Sequence, residues 1–227
     1  VNVFYGQQGC FGAVSGVKTS KYGINSYLDG FLKEENLRIR DKGLVFNFTK
    51  NKSISGKKIA EWPDFTKTFD NFKLNVKKGE IKENHVIGIL GRNGTGKTSF
   101  VRCLAGEEET DSGKLNLKLD VSYKPQYLFT DSDELVSDLM RREKIGKKTA
   151  LMFNLEVLSL KKIKELSGGE LQRFSIARCL SKEADIYLID EPSAYLDVEE
   201  RISCAKSIKE IMNEKSIRQL ADKFLKF

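Results

Sequence analysis

Cysteine, histidine and long apolar runs are scarce in this sequence of 227 residues, and each scarcity narrows what the protein can be. The four cysteines are scattered without a C-x-x-C pair, which argues against a disulfide framework and against a zinc or iron–sulfur site within the chain. No apolar run approaches the roughly 18 residues that cross a bilayer, and the first residues lack a secretory signal. We therefore expect a cytoplasmic protein without a membrane partner. Because the sequence does not begin with methionine, we also expect it to be part of a longer protein.

The single histidine, His85, lies in an apolar segment, where a packed core residue is the ordinary interpretation. Charged residues are abundant instead, with 39 Lys and Arg against 32 Asp and Glu, which gives a net charge of +7. The lysines cluster in KNKSISGKK, KKGEIK, RREKIGKK and KKIK. Each cluster alone is typical of a solvated surface, but together they allow an acidic partner such as nucleic acid, bound through its phosphates.

Hydrophobic periodicity predicts an α/β fold. Strand patterns occur in Leu44–Phe48, Asn71–Val76, His85–Leu90, Val121–Pro125 and Ile186–Ile189. Helical patterns occur in Ile24–Phe31, after Thr98, in Leu135–Lys164, in Glu170–Leu180 and in Val198–Asn213. Alternating strands and helices favour a mostly parallel sheet that binds ligands at the carboxyl ends of its strands.

The segment GRNGTGKT, Gly91 to Thr98, fits the pattern G-x-x-x-x-G-K-[ST] between a predicted strand and a predicted helix. Its glycines let backbone N–H groups surround phosphate oxygens, and the helix N-terminus adds its positive dipole end. Lys97 is predicted to reach the β- and γ-phosphates, and the Thr98 hydroxyl to bind Mg²⁺. The predicted ATP phosphate contacts are Gly91, Arg92, Asn93, Gly94, Thr95, Gly96, Lys97, Thr98 and Ser99.

Two adjacent carboxylates, Asp190 and Glu191, follow the apolar run IYLI, where their burial is costly without a cation or hydrogen bonds. In phosphate-loop ATPases a neighbouring strand ends in an aspartate that holds Mg²⁺, and Asp190 is predicted for this role. Glu191 is predicted to be catalytic, orienting a water for attack on the γ-phosphate. The alternative is that Glu191 only starts a helix ahead of Pro192.

Further segments resemble motifs of the ATP-binding-cassette (ABC) ATPases. LSGGELQRFSIARCL resembles their signature motif, IDEPSAYLD their Walker B strand and D-loop, and SYKPQ their Q-loop. The resemblance adds Gln126 to Thr98 and Asp190 as Mg²⁺ ligands, and it places Trp62 where an aromatic stacks on adenine, although Trp62 could equally be core.

The signature residues are Leu166, Ser167, Gly168, Gly169 and Glu170, and they are expected to act in trans because a second glycine-rich helix start is useful only across a pair of domains. The D-loop residues are Ser193, Leu196 and Asp197.

Within the ABC group the sequence most closely resembles the RNase L inhibitor family of ribosome-recycling ATPases (ABC subfamily E), in particular its second nucleotide-binding domain. YGQQGCFGAVS and GINSYLDGFLKEENLRIRD resemble the hinge segment of that family. The resemblance implies a hinge over residues 1–43, a nucleotide-binding domain over 44–215 with a helical subdomain at about 131–180, and a hinge-like helix over 216–227. It also implies ATP and Mg²⁺ as cofactors and an iron–sulfur cluster in a region N-terminal to this chain.

The implied function is ATP hydrolysis that splits and recycles ribosomes after termination. The implied partners are the first nucleotide-binding domain of the same polypeptide, the small ribosomal subunit with its rRNA and proteins, and release-factor-type proteins. The sequence departs from the family in lacking a switch histidine after the D-loop helix. We expect unrepresented segments near Lys215 and Ser216, including a whole strand, and between Gln126 and Leu166. An ATP-gated ribosome-binding module with little hydrolysis remains an alternative, and a transporter ATPase subunit is a less favoured one.

Arg38 and Arg40 lie two residues apart in the hinge-like segment. An extended strand would place both arginines on one face, with Leu37 and Ile39 packed inward. Two such guanidinium groups can bind phosphate oxygens, which makes Arg38 and Arg40 possible RNA contacts. The alternative is that they fix the hinge to a neighbouring domain by ion pairs.

Overall fold

The computed structural model describes residues 1–7, 11–41, 43, 57–82, 87–89, 91–115, 119–126, 131–215 and 219–222. The chain forms two compact units, Val1–Lys52 and Ser53–Phe227. The division falls among residues 44–56, which lie outside the described residues, so the hinge boundary predicted after residue 43 remains a prediction. The predicted strand Leu44–Phe48 and the histidine His85 lie outside the described residues.

In its described residues the first unit contains two small antiparallel strand pairs and one helix. Strand β1 (Phe4–Gln7) pairs with β2 (Phe11–Val14), helix α1 spans Ser20–Asp29, and β3 (Phe31–Leu32) pairs with β4 (Leu37–Arg38). The helix starts and ends earlier than the predicted Ile24–Phe31, and its end is set by Gly30, which adopts the left-handed region with φ 74°. A Cβ at Gly30 would lie 2.9 Å from the Cβ of Arg40, so the approach of the returning chain also requires glycine.

Two antiparallel pairs begin the second unit, as the predicted antiparallel part requires. Strand β5 (Lys58–Trp62) pairs with β8 (Gly79–Lys82), and β6 (Phe65–Phe69) pairs with β7 (Phe72–Val76). The predicted strand over residues 71–76 is thereby confirmed.

The main sheet of the second unit is parallel. Its strands are β9 (Gly88–Ile89), β10 (Val121–Lys124), β11 (Ile186–Ile189) and β12 (Gln219–Asp222), in the spatial order β10-β11-β12-β9. Every residue of β11 is buried because its side chains alternate between two hydrophobic cores: Ile186 and Leu188 face one core, whereas Tyr187 and Ile189 face the other. This explains the unbroken apolar run in its sequence.

The second unit contains five helices in the described residues, of which α5 packs against β10 and β11. They are α2 (Lys97–Leu104), α3 (Val136–Arg142), α4 (Lys147–Met152), α5 (Gly168–Ser181) and α6 (Val198–Lys215). The predicted helical stretch Leu135–Lys164 is divided into α3, α4 and two short 3₁₀ turns. Lys144 and Asn154 have positive φ angles of 53° and 51°, which interrupt a right-handed helix. None of the described helices is both long and apolar enough to cross a membrane.

The C-terminal part of the chain differs from the prediction. Residues 219–222 form strand β12, so the helix predicted over residues 216–227 is wrong at these positions. Strand β12 lies between β11 and β9 and pairs with both in parallel, in the place where the sequence predicted a missing strand. Without β12 the facing backbone groups of β11 and β9 would lack hydrogen-bond partners, a cost that outweighs the helical spacing of the segment.

Candidate functional site

The four described strands of the main sheet are parallel, so their carboxyl ends lie at one edge. Strand β9 leads into the loop Gly91–Gly96, which opens helix α2, and β11 ends at Asp190. Gly94 and Gly96 have φ angles of 78° and 87°, the left-handed conformation that the sequence pattern predicts. Close packing adds a second reason for glycine at position 96, since a Cβ there would lie 2.9 Å from Cζ of Phe72.

The side chains of the loop converge on one backbone carbonyl. Thr95 Oγ1 donates a hydrogen bond of 2.8 Å to Arg92 O, and Lys97 Nζ donates one of 2.7 Å to the same oxygen. The ammonium group of Lys97 is therefore turned into the loop rather than toward solvent. This is the position from which a lysine can neutralise a phosphate held by the loop.

Asp190 is fully buried at the end of β11. Its backbone is satisfied, because its N–H donates to Lys124 O at 3.0 Å and its carbonyl accepts from Lys124 Nζ at 2.8 Å. Both carboxylate oxygens, by contrast, accept no hydrogen bond from the described residues. A buried carboxylate without a protein donor suits a hard divalent cation, so the residues here fit Mg²⁺.

Lys124, the last residue of β10, is only 1% exposed. Its burial lowers the pKa of the ammonium group to about 8, although the nearby charge of Asp190 acts in the opposite direction. Sequence reasoning missed this residue. Its position directly before the proline and Gln126 of SYKPQ was the available signal.

Glu191 and Gln126, which are far apart in the sequence, meet beside Asp190. Gln126 Nε2 donates a hydrogen bond of 3.0 Å to Glu191 Oε2. Glu191 is half-buried and has a φ of 46°, a left-handed conformation that is uncommon for a residue with a side chain. The backbone here departs from the ordinary strand geometry, and the departure aims the Glu191 carboxylate at Gln126.

A cavity of about 410 Å³ joins these groups to the phosphate loop. It is lined by Phe69, Phe72, Asn93, Gly94, Gly96, Lys97, Thr98, Ser99, Gln126 and Glu191. The rings of Phe69 and Phe72 stack at a centroid distance of 6.2 Å. Sequence reasoning missed both aromatics, although they flank the β6–β7 turn, Phe69 to Phe72, shortly before the loop.

Trp62 is not among the residues that line this cavity. Its Nε1 donates to Lys77 O at 3.0 Å, its ring packs edge-on against Phe100 at 5.6 Å, and it lies against Gly79. It borders a different cavity of about 500 Å³, together with Pro63, Lys78 and neighbouring residues. The adenine-stacking role of Trp62 remains a prediction.

The signature segment forms the start of helix α5. Ser167 Oγ accepts a hydrogen bond from Glu170 N at 3.3 Å, and Glu170 Oε2 accepts one from Ser167 N at 2.9 Å, which together make a capping box. The helix begins at Gly168 rather than at the predicted Glu170, since Gly168 and Gly169 are already helical. Both glycines lie close to Tyr195, where a Cβ would approach within 3.2 Å and 3.1 Å. Leu166, just before the cap, packs against the core.

The carboxylate of Glu170 is paired with a cation. Lys161 Nζ lies 2.8 Å from Glu170 Oε1. Burial alone would raise the pKa of Glu170, but the hydrogen bonds from Lys161 and Ser167 outweigh it and hold the pKa below its usual value. Glu170 is therefore ionised at neutral pH, and Lys161 offsets its charge.

The D-loop residues connect the site to helix α6. Leu196 is buried, and its carbonyl accepts from Arg201 Nε at 2.8 Å. Asp197 Oδ1 accepts from Glu200 N at 2.8 Å, which caps α6, and Ser193 is half-buried. Leu196 and Asp197 thus have structural contacts within the chain, and a role of the D-loop across a domain pair remains a prediction.

Arg38 and Arg40 have different surroundings in the first unit. The guanidinium of Arg40 donates to the carbonyls of Tyr27 and Leu28 at the end of α1 and lies 4.7 Å over the Tyr27 ring. Arg38 is exposed, donates to Asp41 O at 3.1 Å and lies over the Phe31 ring. The prediction that Leu37 packs inward is wrong, because it is 37% exposed on a strand of only two residues. RNA contact by either arginine remains a prediction.

Comparison with known proteins agrees with this geometry. The ABC transporter family matches residues 74–194, more than half of the chain. Protein Pixie of Drosophila melanogaster is 40% identical over 90% of this chain. The solved structure of RNase-L Inhibitor superposes with a TM-score of 0.85 and 40% identity over 97% of this chain. The chain belongs to the RNase L inhibitor family of ABC proteins.

A further similar solved structure is that of the archaeal ribosome recycling factor aABCE1, in complex with the archaeal ribosomal stalk protein aP1. It superposes with a TM-score of 0.86 and 40% identity over 97% of this chain. The chain spans 35% of the length of Pixie, 45% of RNase-L Inhibitor and 44% of aABCE1. The ABC-type α/β fold predicted from sequence is confirmed by these matches.

Proposed function

We propose that this chain is the ATP-binding and hydrolysing half of a cytoplasmic twin-ABC ATPase that splits and recycles ribosomes after termination. The observation that carries the proposal is the buried Asp190 carboxylate, which lacks a donor among the described residues and lies beside the Gln126–Glu191 pair. A phosphate loop, a site that fits a cation and a carboxylate able to orient water are the parts that phosphoryl transfer to water requires.

The chain's own residues account for ATP binding. Residues Gly91–Ser99 would surround the phosphates with backbone N–H groups, and Lys97 would exchange its bond to Arg92 O for the more strongly charged phosphate oxygens. Thr98, Gln126 and Asp190 would hold Mg²⁺, which neutralises phosphate charge when bound. Phe69 and Phe72 offer aromatic surface on the same cavity for the nucleoside part of ATP.

Glu191 is the residue that would act on the attacking water. Its carboxylate lies on the cavity wall, and Gln126 holds one of its oxygens at 3.0 Å. The other oxygen remains able to accept a hydrogen bond from a water in line with the γ-phosphate. The proposal is therefore hydrolysis, with Glu191 as the orienting base.

The signature supports a partnership with a second nucleotide-binding domain. Because Ser167 Oγ accepts from Glu170 N, the hydroxyl hydrogen is the part of this group that can donate outward. Phosphate oxygens only accept, so the start of α5 suits a nucleotide held by the opposite domain. The first nucleotide-binding domain of the same polypeptide is the proposed partner.

Ribosomal partners are proposed from the relatives. One solved relative is described as a ribosome recycling factor and was solved with a ribosomal stalk protein. We extend this to the small ribosomal subunit, its rRNA and proteins, and to release-factor-type proteins.

The test uses the whole protein that contains this chain, and it measures ATP binding, ATP turnover and ribosome splitting. Lys97→Ala should abolish ATP binding, because the β- and γ-phosphates lose their cation. Glu191→Gln should bind ATP normally, hydrolyse it slowly and accumulate in the closed state. Wild-type ATP affinity in Lys97→Ala, or wild-type turnover in Glu191→Gln, would contradict the assignment of these residues. If the wild-type protein hydrolyses ATP normally but does not split ribosomes, the ATPase assignment stands and the ribosomal role is refuted.

A further inference from the structure

The backbone carbonyls of Asp190 and Glu191 each accept a hydrogen bond from a buried side chain. Lys124 Nζ donates to Asp190 O at 2.8 Å, and Gln172 Nε2 donates to Glu191 O at 2.7 Å. Lys124 is 1% exposed and Gln172 is fully buried. The donors come from different elements, since Lys124 ends β10 and Gln172 lies in the second turn of α5.

The burial of Gln172 is costly for a residue that only fills space. Its Oε1 is buried and has no hydrogen-bond partner among the described residues. An unsatisfied buried acceptor lowers stability, and a methionine or leucine would occupy the same volume without this cost. What an apolar side chain could not supply is the bond from Nε2 to the Glu191 carbonyl.

These two bonds hold the two peptide planes that flank the Cα of Glu191. The carbonyl of Asp190 lies in the preceding plane and the carbonyl of Glu191 in the following one, so fixing both fixes φ and ψ of Glu191. The φ of 46° is uncommon outside glycine and needs such support from its surroundings. The same two angles set the direction of the Cα–Cβ bond, and thereby the position of the carboxylate beside Gln126.

We propose that Gln172, assisted by Lys124, is a positioning residue for Glu191 in ATP hydrolysis, an inference that rests on the catalytic role proposed for Glu191. Gln172 holds the strained backbone that aims the carboxylate. Because α5 also begins with Ser167 and Glu170, the helix that would contact the opposite nucleotide is the helix that orients the base of its own chain.

The test substitutes Gln172→Met in the whole protein that contains this chain. Methionine keeps the length of the side chain and removes both the donor and the unsatisfied Oε1. The Glu191 carbonyl still accepts a hydrogen bond from Ala194 N at 3.1 Å, so the substitution does not leave this carbonyl without a hydrogen-bond partner. We expect an unchanged melting temperature, unchanged KM for ATP, and a kcat lower by about tenfold or more, since small displacements of a catalytic group cost one to two orders of magnitude.

The matched control is Ser122→Ala. Ser122 Oγ is likewise a buried side-chain donor to a backbone carbonyl, Cys179 O at 2.8 Å, between β10 and α5, but it does not contact residues 190 and 191. Its kcat should equal that of the wild type.

A double-mutant cycle tests the positioning role of Gln172 separately from the catalytic role of Glu191, on which it rests. In a Glu191→Gln background, Gln172→Met should reduce kcat no further, because the group it positions is already gone. A wild-type kcat for Gln172→Met, or the same loss in both backgrounds, would overturn the positioning role. A wild-type kcat for Glu191→Gln alone would instead refute the catalytic role of Glu191. If Gln172→Met does not fold, Lys124→Met decides by the same cycle.

Discussion

Gln126 and Glu191 are joined by a hydrogen bond of 3.0 Å, so the segment that follows β10 holds the carboxylate that follows β11. The bond crosses between neighbouring strands at the edge where the phosphate loop also lies. A neutral amide at this position can donate to Glu191 and still offer its oxygen to a cation. A carboxylate in its place could bind the cation, but it could not donate to Glu191 and would repel it.

Gln126→Ala should therefore lower kcat for ATP hydrolysis by roughly tenfold to a hundredfold, the usual effect of misplacing a catalytic group. ATP binding should persist because Lys97 and the loop are unchanged. Gln126→Glu should be slower still, since its charge repels Glu191. Single-turnover hydrolysis and nucleotide titration measure the two effects separately. Equal rates of ATP hydrolysis for the wild type and both variants would show that Gln126 has no role in hydrolysis.

The Lys161–Glu170 pair gives a second prediction. In Lys161→Met, the uncompensated carboxylate of Glu170 would face the phosphates of the opposite nucleotide. We expect ATP-driven closure of the two domains to need about fivefold more ATP, which corresponds to roughly 1 kcal/mol for a partly exposed charge. Adding Glu170→Gln should restore closure, because the amide oxygen still accepts from Ser167 N.

The control for this pair is Lys162→Met, which removes an adjacent lysine whose partner is Asp133 at 3.1 Å. Closure can be followed by the distance between labels on the two domains. A defect in Lys161→Met that Glu170→Gln fails to restore would show that charge at the signature is not the cause.

The aromatic residues give a third prediction. Phe72→Ala should weaken ATP affinity by about tenfold, since stacking on a base contributes roughly 1–3 kcal/mol. Binding of inorganic triphosphate should be unchanged. Trp62→Ala should lower thermal stability through lost packing on Phe100, and its ATP affinity tests the adenine stacking predicted from sequence. Calorimetric titration of both variants gives the two affinities, and a loss in Trp62→Ala without a loss in Phe72→Ala would place adenine on Trp62.

The fourth prediction separates Arg38 from Arg40. Arg38→Ala should weaken binding to the small ribosomal subunit and flatten its logarithmic salt dependence by about one phosphate contact, with stability unchanged. Arg40→Ala should lower the thermal stability of the first unit, because the end of α1 loses its donor to Tyr27 O. Binding at several salt concentrations and thermal unfolding provide the readouts. Parallel salt slopes for wild type and Arg38→Ala would make Arg38 a structural residue as well.

Local patterns predicted much of the site because local chemistry determines it. The loop glycines must adopt left-handed angles, and the run Ile186–Ile189 must be buried on both faces, whatever surrounds them. Parallel strands end at one edge of a sheet, so the sequence pattern places Asp190, Glu191 and Gln126 at the same edge. Spacing and residue type were enough for Asp190 and Glu191, whereas Gln126 was assigned through its resemblance to the Q-loop of the ABC ATPases.

Other features depend on partners that the sequence does not place side by side. Lys144 has no turn preference, and a single asparagine such as Asn154 is too weak a signal to end a helix, so the sequence pattern predicts one long helix. The segment containing Gln219–Asp222 has helical spacing, yet the opening between β11 and β9 selects a strand. The bonds of Lys124 and Gln172 to successive carbonyls join three distant segments, and no periodicity indicates them.

Strand β12 also bears on the order in which the molecule can fold. Among the described strands, β9 pairs only with β12, and Ala221 meets Gly88 although most of the chain lies between them. Pairings of such long sequence separation form late, because a large loop must close first. Before residue 222 emerges from the ribosome, the nascent chain can form α5 and α6. It cannot yet align the phosphate loop with Asp190, because β12 is missing from the sheet. Acquisition of ATP binding during refolding would therefore report closure of the sheet, later than the appearance of helical signal.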